Sequence, residues 1–167
     1  MITNDVLEEM FENADFLIKE NKIADAIALL HEILTEAPDF GKAHNHLGWI
    51  YETKHKDLVK AEEHYRLALK FRPDYCASYY NYAILLSTLR KYTELESLLQ
   101  KAEACPGINR ATIANEYAIM YESTGRFDDA IASYKTYITN LFDEKMIDTA
   151  AASIQRCRKK KEILSTI

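Results

Sequence analysis

The stretch AHNHLGWIYE, residues 43–52, holds two of the five histidines and the only tryptophan of the chain. Histidine suits metal binding and proton transfer, provided that its partners converge. Side chains that share a helix face are three or four positions apart, whereas His44 and His46 are two apart and diverge, so they cannot grip one ion. His31 and His64 fall on other amphipathic segments and His55 in a turn, and no metal site is expected. Glu8, Glu12 and Asp15 do have same-face spacing. Like charges so placed repel by a few tenths of a kcal/mol, roughly, and without a pocket to shift their pKa values they read as a solvated acidic ridge. Cys76, Cys105 and Cys157 are odd in number and lack C-x-x-C spacing, which suits small buried side chains better than a disulfide or zinc site. With four glycines, neither G-x-G-x-x-G nor G-x-x-x-x-G-K-[ST] occurs, and H-E-x-x-H and G-x-S-x-G are also absent. No enzyme and no cofactor is expected.

The 167 residues suffice for one proper core, and 48% apolar with 28% charged residues describes a globular chain. No run approaches the roughly 18 apolar residues of a membrane span, and the charged start MITNDVLEEMFENADF does not read as a leader, so a cytoplasmic chain without membrane contact is expected. A net charge of −5 argues against nucleic acid, which needs a cationic face. The basic RCRKKK, residues 156–161, is expected as a solvated helix face near a C-terminus.

The elements that carry these residues recur. CASYYNYAILL (76–86), GKAHNHLGWIY (41–51) and ATIANEYAIMY (111–121) align, and with the first segment give a column of small residues Ala14, Gly48, Ala83 and Ala118, spaced 34, 35 and 35. KIADAIALLHEILTEAPD, DLVKAEEHYRLALKFRPD and RFDDAIASYKTYI give a second column, Ala26, Ala61, Leu95 and Ala130, spaced 35, 34 and 35. Small residues recur where paired helices approach closely, with Tyr51, Tyr65 and Tyr121 filling the space around them. Pro38 and Pro73 follow the second block of a pair and cannot prolong it.

The pattern resembles the tetratricopeptide repeat, a unit of about 34 residues that forms two antiparallel helices. Leu47, Gly48, Tyr51, Ala61, Tyr65, Ala68 and Pro73 stand at the signature places of the second repeat, with one extra residue in the turn KHKDLV. Ala118, Tyr121, Gly125, Phe127, Ala130 and Tyr134 stand at those of the fourth. The resemblance implies an all-α fold, a right-handed α-solenoid of four helix-turn-helix repeats, as one domain over 1–167. The repeats would span approximately 7–40, 41–75, 76–110 and 111–144. A capping helix over about 145–165 would follow, with Met146, Ile147, Ala150, Ala151, Ile154 and Cys157 as its apolar stripe.

In this family the first helices line a concave groove that binds peptides or helices. The resemblance places Phe11, Asn45, Tyr80 and Asn115, then His46, Asn81 and Glu116, then Trp49, Ile84 and Ile119 on that face, edged by Asp15, Glu52 and Glu122. It implies a noncatalytic adaptor whose protein or peptide partner is neutral or basic. A secretion-type chaperone and a self-assembling homo-oligomer are the alternatives. The clamp by which one branch of the family holds C-terminal carboxylates is not expected, because Phe11, Asp15, His46, Ala77 and Asn81 stand at the corresponding places.

Overall fold

A computed structural model describes residues 2–166. Among the described residues every regular element is helical, and none is long and apolar enough to cross a membrane. The chain divides into two compact units, one up to Leu85 and one from Leu86.

The first unit pairs α1 (Asn4–Lys19) with α2 (Ile23–Glu36) and α3 (Gly41–Ile50) with α4 (Leu58–Phe71); α5 (Cys76–Thr88) begins in it. Ala14, Gly48 and Ala83 of the small-residue column are buried, as are Ala26 and Ala61 of the other. Gly48 shows why size matters there, since a Cβ would lie 2.7 Å from the ring of the fully buried Tyr65. The core is filled by Leu7, Leu30, Ile33, Leu47 and Ile50.

The extra residue of the second repeat is taken up partly within the helix that precedes KHKDLV. The end of α3 widens into a π-helical turn, Tyr51–His55, and Asp57 N–H closes on Tyr51 O at 2.9 Å. Elsewhere the same turn closes one residue sooner, as in Lys22 N–H to Leu17 O at 2.8 Å. In both turns the residue two places before the second helix is left-handed, Asn21 at φ 57° and Lys56 at 59°.

The second unit holds α6 (Tyr92–Ala102), α7 (Arg110–Ser123), α8 (Phe127–Ile138) and α9 (Glu144–Ser165). The turns before α6 and α8 are left-handed at Arg90 (φ 56°) and Gly125 (φ 78°). Asn109 and Asp143 cap α7 and α9 by accepting from Thr112 N–H and Met146 N–H. The long α9 packs on α8 and on Ala118, burying Ala150, Ser153, Ile154 and Cys157. This stripe is narrower than the sequence pattern suggests, for Met146 and Ala151 are exposed and Ile147 only half-buried. Ser153 stands 35 residues after Ala118, so α9 occupies the register of a further first helix that lacks a second. Its hydroxyl can be buried because it donates to Thr149 O of its own helix at 3.1 Å.

The basic run is likewise more than a solvated face. Arg156 and Lys160 bind Glu122, and Lys161 binds Asp128, tying α9 to the preceding pair.

Candidate functional site

In the first unit, α1, α3 and the start of α5 enclose a cavity of about 250 Å³. From α1 it receives Asp15 and Ile18, and from α3 Asn45, His46 and Trp49; Tyr75, Ala77 and Asn81 complete the wall. His46 donates from Nε2 to Asp15 Oδ1 at 3.2 Å and meets the ring of Phe11 edge-on at 4.5 Å. Burial pushes the imidazole pKa down despite the neighbouring carboxylate, which keeps His46 neutral, and its Nδ1 is buried without a hydrogen-bond partner. Asp15 also pairs with Lys19, one turn on, and the bond from Lys19, with a smaller contribution from His46, holds its carboxyl below the usual range against the effect of burial. Asn81 donates to Asn45 Oδ1 at 3.1 Å, joining α5 to α3. Trp49 is half-buried, and the Lys54 ammonium sits 5.5 Å from its ring centroid. Burial raises the Tyr75 phenol, assisted by the negative charges of Asp15 and Glu8.

His44 faces the other way, as its spacing from His46 requires. Its Nε2 donates to Pro38 O at 2.9 Å and its Nδ1 lies 3.1 Å from His64 Nδ1 on α4. Among the described residues no three His, Cys, Asp or Glu side chains converge as a metal would need.

In the second unit, Asn115 and Ile119 of α7 face Met146, Thr149, Ser153 and Arg156 of α9 across a depression of about 560 Å³. Glu116 is half-buried, and desolvation raises its pKa. Glu122 has the opposite fate: bonds from Arg156 at 2.6 Å, Lys160 at 2.8 Å and the Tyr134 hydroxyl at 3.1 Å pull its carboxyl down to about 2.

A family model described as tetratricopeptide repeat matches residues 11–75. The structure of pilF from Pseudomonas aeruginosa superposes with a TM-score of 0.80 at 15% identity, covering 95% of this chain and 70% of that one. PilW, described as a "widely conserved type IV pilus biogenesis factor", gives 0.73 at 22%, covering 94% and 80%. YrrB, "a TPR protein with an unusual peptide-binding site", gives 0.76 at 17%, covering 92% and 76%. Residues 11–75 thus match the tetratricopeptide repeat, and the fold of the chain is that of tetratricopeptide repeat structures. No curated protein matches it by sequence.

Within this tetratricopeptide-like fold the residues expected on the first-helix face are distributed unevenly. Asn45, His46, Trp49 and Asn81 meet in one cavity, and Asn115 and Ile119 in another. Ile84 is exposed and Tyr80 half-buried on α5. Phe11 lies beneath the surface against Phe40, and Asn45 retains 2% exposure, so neither presents much area to a partner. Glu52 accepts from the Tyr65 hydroxyl at 2.7 Å and Glu122 from the bonds above, so these two acids meet donors of the chain itself. Of the edge acids, Asp15 alone lines the first-unit cavity. The expectation omitted Tyr75 and Ile18. A signal existed for the first: Phe40 and Tyr75 close the matching turns APDF and RPDY, 35 residues apart.

Proposed function

We propose that this protein is a noncatalytic adaptor whose first-helix faces hold a segment of a protein partner. Tetratricopeptide repeat proteins bind protein partners, and the observation that carries the reading to a place is the cavity beside Trp49, a half-buried aromatic with amides and a carboxylate around it. Aromatic anchors in such settings carry a disproportionate share of binding energy, and a preformed helical face has little ordering cost on binding. Ile84, 52% exposed on α5, extends the apolar surface. The experiment is capture of partners from native extract by the wild type and by Trp49→Ala combined with Ile84→Ala, with circular dichroism as the check on folding. Loss of captured partners is expected; equal capture by a folded double variant sinks the reading.

Joining of identical chains is the second reading, favoured by the exposed Phe142, Ile163 and Leu164 of the second unit. Light scattering over a concentration series separates the two, since a mass fixed at one chain opposes self-assembly.

A further inference from the structure

We propose that the cavity beside Trp49 is a receptor for one arginine side chain of the partner segment, its guanidinium on Asp15 and its plane against Trp49 and Tyr75. This rests on the reading of the first-helix face as a binding surface.

Size sets the class of occupant. Sites for whole small molecules enclose roughly 300–1,000 Å³, whereas about 250 Å³ suits a single long side chain. Charge sets its sign. Asp15 is the one carboxylate in the wall, no lysine or arginine lines it, and His46 spends its Nε2–H on Asp15 while remaining neutral. The surroundings add to this potential, for the sequence up to Leu85 contains nine Lys and Arg against fifteen Asp and Glu, a net of −6.

The protein itself marks two cation positions. The Lys54 ammonium sits over Trp49 and that of Lys19 on Asp15 Oδ2, and both lysines are exposed side chains reaching in from outside the wall. Such exposed pairs contribute little to stability, so a ligand cation can displace them at small cost. A guanidinium exploits the site better than an ammonium. It is planar, is more weakly hydrated, stacks on aromatic faces and offers several donors at once. Asp15 Oδ2 would accept from the guanidinium in place of Lys19, and Asn81, which uses one amide N–H on Asn45, keeps its carbonyl oxygen as a further acceptor.

Trp49 is the only tryptophan, so its fluorescence in the full chain reports on this cavity. The probe is a blocked pentapeptide, Ala-Ala-Arg-Ala-Ala, titrated beside the same peptide carrying citrulline, which keeps shape and loses charge, and beside one carrying lysine. A saturable change is expected with arginine, weaker binding with lysine, and about tenfold or greater weakening with citrulline, the loss of one charge-assisted contact. Once salt of about 0.1 M or more screens the summed field, Asp15→Asn is expected to bind the arginine and citrulline peptides alike, whereas Lys54→Ala and Lys19→Ala bind arginine at least as well as the wild type. No saturable change, or equal titration of wild type by arginine and citrulline, overturns the proposal whether or not the variants fold. If the arginine peptide is silent while the Trp49 and Ile84 substitutions still abolish partner capture, the binding face stands and the arginine receptor falls. If capture is unaffected as well, both fall.

Discussion

At the scale of single residues, the two histidines of the opening stretch illustrate how spacing constrains chemistry. His44 gives its Nε2–H to Pro38 O, so when neutral its Nδ1 is an acceptor, and the facing Nδ1 of His64 must carry a proton. Protonating the pair opposes two donors across 3.1 Å. Burial, then the charge of His44, together with that of His31 and Lys60, pushes His64 down to about 4, and burial also lowers His44. For bases whose pKa falls on folding, the unfolded chain binds more protons below its own pKa near 6.5. Stability is therefore full above that value and declines as the pH drops toward 4. His64 is partly solvated and Glu63 lies near His44, so a loss on the order of 1 kcal/mol is expected between about pH 7.5 and pH 5. Urea titrations at the two pH values measure it, and His64→Gln, which keeps a donor but cannot titrate, is expected to flatten the dependence. An unchanged slope in that variant places the effect elsewhere. The sequence told that His44 and His46 point apart; it could not tell that each finds its partner on a different helix, because those contacts join residues 20 and 31 positions away.

At the scale of elements, the turns before α2, α4, α6 and α8 repeat one backbone requirement with four different residues. Asn21, Lys56, Arg90 and Gly125 all have left-handed φ, though only the last is the residue type that adopts it without steric cost. Arg90→Gly is expected to stabilise the protein by about 0.5–1 kcal/mol, the relief at Cβ less the added freedom of the unfolded chain. Arg90→Ala keeps the Cβ and is expected to gain nothing. Equal denaturation midpoints for the two would show that the turn is not strained at this position. The columns of small residues revealed the helix pairs because close approach leaves a mark on side-chain volume. The π-helical turn was hidden, since one inserted residue fits a longer loop or a wider helix end equally well by spacing. Ser153 was overlooked for a related reason. A polar residue in an apolar stripe looks like an interruption until its hydroxyl is found bonded to its own helix. Sequence alone leaves Glu52 and Glu122 to a partner's use because their donors, Tyr65 and Tyr134, lie on the following helix, although the pairing recurs 70 and 69 residues apart and is legible at that spacing.

At the scale of the whole molecule, the net charge of −5 conceals an uneven distribution. The sequence up to Leu85 has a net charge of −6, while from Leu86 onward twelve Lys and Arg meet eleven Asp and Glu for a net of +1. In the latter part, cations of α9 are paired with Glu122 and Asp128, so the basic run does little to attract anions. The former part carries its excess acid on the same unit as the cavity that holds Asp15 and Trp49, and the field of all these charges reaches farther than any one contact. A cationic peptide should feel both the contact with Asp15 and this summed field. Salt separates them: the screening length shrinks from about 30 Å at 0.01 M to about 10 Å at 0.1 M, which removes the distant acids before the local pair. Affinity for the arginine pentapeptide, followed through Trp49, is therefore expected to fall several-fold over that range, roughly, and then to level while still exceeding that of the citrulline peptide. Asp15→Asn keeps the excess acid and should retain most of the low-salt attraction while losing the plateau. If wild-type affinity does not change with salt, the acidity of the first 85 residues has another purpose than attracting a cation, and recognition at this cavity is short-ranged.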